Sequence, residues 1–93
     1  MEQHLETLYQ LVREFGISSQ EKKLLEEMEE LKKVILDPHK KTKQFYRHLT
    51  DEVADVLILL YQIIAYYRLE TVVDTMVDYK IQRTIYEKEQ EDE

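Results

Sequence analysis

Two acidic patterns are the residues of this chain best suited to chemistry: Glu26-Glu27-Met28-Glu29-Glu30, and further along Glu52-Val53-Ala54-Asp55. Each contains carboxylates three residues apart, a spacing that puts both on one side of a helix. With Leu24 at the origin of a helical wheel and about 100° per residue, the apolar positions Leu24, Met28, Leu31 and Ile35 centre near about 15°. Glu26 and Glu29 then fall opposite this stripe, where an ordinary solvated helix face accounts for them. Glu27 and Glu30 flank the stripe beside Val34 and Lys23, a position that charged residues also occupy without any function. Glu52 and Asp55 are harder to dismiss, because they open the most apolar stretch of the chain, and an unpaired carboxylate beside a core is costly. The helix dipole explains acidic residues in a first turn, which covers Asp51 and Glu52. It explains less well Asp55, a turn deeper between Ala54 and Val56.

If the two pairs face each other, their carboxylates repel by about 3 kcal/mol per close pair at an effective dielectric near 20. A hard divalent cation resolves that repulsion. Oxygen ligands without cysteine or a paired histidine favour Mg²⁺ or Mn²⁺ over Zn²⁺, with Glu27, Glu30, Glu52 and Asp55 as the candidate ligands and metal-activated water as the nucleophile. Phosphate chemistry follows from such a site, since Mg²⁺ is usually shared between a few carboxylates, waters and substrate phosphates. Basic partners are at hand. Lys80 falls on the apolar stripe of Val73, Met76 and Val77, and Arg83 lies at its edge. The ammonium of Lys80 either snorkels to water or meets an anion there. Lys80 and Arg83, with Lys23 beside the first acidic pair, are the candidates for phosphate contacts.

The elements that must position these groups are helices. Leu5, Leu8, Leu11, Val12 and Phe15 recur at spacings of three and four, and Gly16 ends that stripe as a C-terminal cap. Ser18 and Glu21 have capping-box spacing, so a second helix is expected from there to Asp37-Pro38. Residues 37–49, with Lys40, Lys41, Lys43, Arg47, His39 and His48, read as a basic connecting loop. From Thr50, a plausible N-cap by residue type, apolar residues occupy nearly every face through Ile64, the pattern of a central helix. Helical periodicity then resumes from Leu69 to Ile85, with a turn expected near Arg68 to Thr71 although no Gly or Pro marks it. Residues 87–93 are almost wholly charged and are expected to fray.

The chain has 93 residues, a single Gly, a single Pro and 35% charged residues. That composition favours one all-α domain, a four-helix bundle-like unit spanning 1–93. So short a chain leaves much of its surface exposed, and association would help it. The formal charge of -7 argues against polymeric nucleic acid as a partner. No cysteine is present, which excludes disulfides, thiolate metal sites and cysteine nucleophiles. The run from Val53 to Leu69 is short for a membrane span and carries Asp55, Gln62 and Arg68, so no membrane is expected. The start of the chain lacks the pattern of a secretory signal, which makes a cytoplasmic protein the expectation.

Taken together, Glu26-Glu27-Met28-Glu29-Glu30-Leu31, Glu52-Val53-Ala54-Asp55 and Lys80-Ile81-Gln82-Arg83 resemble the MazG-like family of the all-α NTP pyrophosphatase superfamily. Its signature is Glu-Glu-x-x-Glu followed, after a variable gap, by Glu-x-x-Asp. The resemblance covers about residues 20 to 88. It implies a four-helix core completed by dimerisation, as a homodimer or homotetramer, and Mg²⁺-dependent cleavage of a nucleoside triphosphate to the monophosphate and pyrophosphate. By position it assigns Glu27, Glu30, Glu52 and Asp55 to metal, and Lys80 and Arg83 to phosphates, across a subunit interface in one arrangement. Glu26 matches the first Glu of the signature, although its wheel position faces away from the stripe. Thr84, Ile85 and Tyr86 stand where many relatives carry an Asn. With no tryptophan in the chain, base stacking falls to Tyr46, Tyr61, Tyr66 or the basic loop. The alternatives are a relative acting on phosphoribosyl-ATP or dUTP, and a noncatalytic helical oligomer or binding protein.

Overall fold

The computed structural model describes residues 4–92, which form four helices in the order α1 (Leu5–Phe15), α2 (Ile17–Ile35), α3 (Lys43–Tyr67) and α4 (Glu70–Glu91). Among the described residues there is no strand, as the composition led one to expect. None of these helices is long and apolar enough to cross a membrane.

Gly16 alone joins α1 to α2. Its φ of 88° is a conformation that side-chain-bearing residues rarely adopt. Its N–H closes α1 onto the Val12 carbonyl at 2.7 Å, and its own carbonyl accepts from Gln20 N at 3.1 Å. Helix α2 therefore begins at Ile17, ahead of the expected Ser18 cap, and no side chain caps it. The Ser18–Glu21 capping box is not formed, because both residues already lie within the first helical turns that Gly16 starts.

The connection between α2 and α3 is shorter than the sequence suggested. Asp37 Oδ1 accepts from His39 N at 2.8 Å, and Thr42 Oγ1 accepts from Phe45 N at 3.0 Å. Thr42 is thus the N-cap, and α3 starts at Lys43 rather than after Thr50. Thr50 has the residue type of a cap, but its hydroxyl instead donates to the Tyr46 carbonyl at 2.8 Å from within the helix. Burial of Phe45 in the first turn fastens the extension to the body. The basic loop shrinks to 37–42, and Lys43, Arg47 and His48 become helical.

Arg68 ends α3 in the left-handed region with φ 55°. Its N–H bonds Ala65 O at 3.3 Å, and Leu69 N bonds Ile64 O at 2.9 Å, which satisfies carbonyls the helix end would leave bare. The turn falls where the periodicity placed it. At the other end, α4 continues to Glu91, past the point where the charged tail was expected to fray. Pairs one turn apart, Arg83–Glu87 at 3.9 Å and Lys88–Asp92 at 3.5 Å, accompany that extension.

Packing is uneven. Helix α3 lies against α2 most extensively and against α1 next, enclosing a core of Leu24, Val56 and Leu59 with Leu31 and Ile63 packed on it. Leu8 and Val12 of α1 are also buried. Helix α4 comes close to α3 alone and buries none of its residues. Lys80 is therefore exposed rather than at a core position. Nor is α3 covered all round, since Val53, Leu57, Ile58 and Leu60 remain exposed. The radius of gyration is 16.5 Å, whereas a compact chain of this length has about 12 Å.

Candidate metal centre

Helices α2 and α3 run antiparallel, as their contacts show: Gln20 meets Gln62 at 2.7 Å, while Glu27, seven residues on, meets Glu52 and Asp55. Glu27 reaches the seam because it belongs to the covered face of α2, which consists of Ile17, Gln20, Glu21, Leu24, Glu27, Leu31 and Val34. Met28 and Ile35, which shifted the sequence-derived stripe centre, are exposed at 47% and 48%. The covered residues centre about 30° closer to Glu27 than that stripe did and leave Glu30 outside the face. On α3, Glu52 and Asp55 stand one turn before the core residues Val56 and Leu59, which holds their backbone firmly against α2.

One carboxylate oxygen from each of Glu27, Glu52 and Asp55 lies within 4.8 Å of the others. Glu52 Oε2 is sealed from solvent without a hydrogen-bond partner, a state no other side-chain atom among the described residues shows. Burial, a hydrogen bond with the Glu27 carboxyl that only the protonated form can make, and the charges of Glu27, Asp55 and Glu30 all push the Glu52 carboxyl up from the ordinary carboxylate range. A carboxylate in this setting lacks a counter-charge. The donor set is oxygen alone and the charges are negative, which suits a hard divalent cation. Oxygens sharing one Mg²⁺ at about 2.1 Å stand about 3 to 4 Å apart, and the three carboxylate oxygens, all within 4.8 Å of one another, are compatible with that spacing. These residues fit the metal that their spacing suggested.

The remaining sequence candidates divide. Glu30 is close enough to act on Glu52 electrostatically, but its carboxylate bonds Lys33 at 3.3 Å and is not part of the converging trio. Lys23 lines a cavity of about 300 Å³ together with Glu27 and Asp55. Lys80 and Arg83 lie on α4, which has no contact with α2. Arg83 is paired with Glu87 at 3.9 Å and stacks over the Tyr79 ring at 5.8 Å. A single chain therefore does not bring the basic pair to the carboxylates. Glu26 is exposed.

Sequence reasoning missed Gln20 and Gln62, a buried pair at the same seam. Its signal was available: Gln62 interrupts the apolar run of α3, and Gln20 precedes Glu27 by the seven residues that separate Asp55 from Gln62. No protein-family model, curated protein or solved structure matches this chain.

Proposed function

We propose that this protein is a Mg²⁺-dependent nucleotide pyrophosphohydrolase of the MazG-like kind, cleaving an NTP or dNTP at the α–β phosphoanhydride. The observation that carries this reading is the trio Glu27, Glu52 and Asp55 with its sealed, unpartnered Glu52 oxygen. Those three residues would hold the cation, and Glu30 would add negative potential from the flank. When bound, the cation supplies a lowered pKa for water and neutralises charge on the phosphates. Lys23, which lines the adjoining cavity, would meet a phosphate there. The core residues that follow the α3 carboxylates keep their backbone still, so the chain itself supplies preorganisation. Hydrolysis adds water across the anhydride, breaks the bond to the bridging oxygen and releases pyrophosphate and the nucleoside monophosphate.

Lys80 and Arg83 enter the reading through a second copy of the chain. The apolar surface that α4 and α3 leave uncovered, including Leu57, Leu60, Val72, Met76 and Val77, is the kind that a partner subunit buries. A homodimer or homotetramer would cover it and could present the basic pair of one subunit to the carboxylates of the other. The same uncovered surface is what a noncatalytic oligomerising protein would have, but such a protein would have no need of the sealed carboxylate. The deciding experiment is release of pyrophosphate from a panel of NTPs and dNTPs with Mg²⁺ and with chelator. Metal-dependent release is expected; its absence across the panel would leave the noncatalytic reading.

A further inference from the structure

The cavity that shares Glu27 and Asp55 with the metal centre has a second polar feature that hydrolysis alone does not use. Gln20 and Gln62 line it, each more than nine-tenths buried at 7% and 3% exposure. Gln20 Nε2 donates to Gln62 Oε1 at 2.7 Å across the α2–α3 seam. That bond leaves one acceptor, Gln20 Oε1, and one donor, Gln62 Nε2, without a partner among the described residues. Neither is sealed, a condition confined to Glu52 Oε2 among the described residues, and both residues line the cavity. Reversing the two amides exchanges the roles but again leaves one donor and one acceptor.

A donor beside an acceptor, fixed by a mutual bond, is the complement of a nucleobase edge that pairs N–H with a carbonyl or ring nitrogen. The surroundings suit a base. Leu59 is buried and Ile58 half-covered, and they give the cavity an apolar wall. Gln20 lies seven residues before Glu27 and Gln62 seven after Asp55, so both amides stand two turns, about 10.5 Å along the helix, from the carboxylates. That is a separation a sugar can fill between a base at one end and phosphates at the other. The volume, about 300 Å³, is at the lower limit of ligand clefts, about 300 to 1,000 Å³, and must hold sugar as well as base. A single ring fits that limit better than a fused one.

We infer that Gln20 and Gln62 form the base-recognition element of this site and select a pyrimidine nucleotide. The inference rests on the hydrolase reading for its phosphates but not for its base contact. A purely structural clamp between α2 and α3 would make the same amide bond, and substitution separates the two. In Gln20→Leu/Gln62→Leu both polar partners give way to apolar groups of similar size, so no buried group is orphaned. Its helical content and Mn²⁺ affinity, read by circular dichroism and calorimetry, are expected to match those of the wild type.

Two measurements on the full chain then apply. In the first, kcat/KM over a panel of pyrimidine and purine triphosphates is expected to favour pyrimidines by about tenfold or more, a ratio that collapses toward one in the double variant. In the second, UMP, CMP, AMP and GMP are titrated by NMR. Pyrimidine binding is expected in the wild type and in Glu52→Gln, and is lost in the double variant. An unchanged preference in the double variant, or no pyrimidine binding by the wild type, overturns the inference. Pyrimidine binding without any hydrolysis would sustain the base site while removing the hydrolase reading.

Discussion

Glu52 is held in a position that no side chain around it satisfies. One of its oxygens is sealed without a partner, and burial, Glu27, Asp55 and Glu30 all disfavour its ionised form. A carboxyl with a raised pKa binds its proton more tightly folded than unfolded. Its contribution to stability is thus present below the unfolded pKa and is lost as pH rises through the folded one. Glu52→Gln removes that penalty at neutral pH. The metal-free variant is expected to melt above the metal-free wild type, while losing the stabilisation by Mg²⁺ and about 100-fold or more of any turnover; thermal scans with and without Mg²⁺ check the first two, and pyrophosphate release the third. A variant that melts lower and still responds to Mg²⁺ would remove Glu52 from the site. Glu27 and Glu30 can be ranked in the same way. Glu27→Gln is expected to weaken Mn²⁺ binding about tenfold or more, and Glu30→Gln by less, as calorimetry would read; equal losses would make Glu30 a ligand.

Among the elements, α3 depends on where it starts. Thr42 caps it by accepting from Phe45 N at 3.0 Å, and the turn so formed buries Phe45. Thr42→Ala is expected to destabilise the fold by about 1 kcal/mol in urea titration. Thr50→Ala, which removes a hydroxyl bonded back to Tyr46 O, is expected to cost clearly less. Equal losses would mean that the helix can restart at Thr50. Helix α2 has the opposite character at its start, where Gly16 at φ 88° replaces a side-chain cap.

At the scale of the whole molecule, α1, α2 and α3 form a body with few buried apolar side chains, and α4 stands largely off it. The radius of gyration of 16.5 Å reflects that separation. Val77 and Ile81, half-exposed on α4, are apolar surface with nothing on it in a single chain. The wild type is expected to sediment as a dimer or larger, and Val77→Glu/Ile81→Glu to dissociate it while keeping its helices. Loss of turnover on dissociation would fit Lys80 and Arg83 acting across the interface. A monomeric wild type would confine the basic pair to α4 and exclude it from the centre.

The sequence by itself determined the helical class, a break within Arg68 to Thr71 and the acidic pairs, because each follows from local composition, periodicity or residue type. It also distinguished Glu27 from Glu26 and Glu29, since helical phase is a property of one element. Tertiary structure decided what depends on two elements at once. It set which face of α2 is covered, and so admitted Glu27 to the trio while leaving Glu30 with Lys33. It chose Thr42 over Thr50 as the cap, because burial of Phe45 outweighs residue type that both positions share. It joined Gln20 to Gln62 across the antiparallel seam, a pairing that the break in the apolar run at Gln62 hints at but that only the packing of two helices fixes. And it kept Lys80 and Arg83 from the carboxylates of their own chain, because α4 packs on α3 alone and never reaches α2.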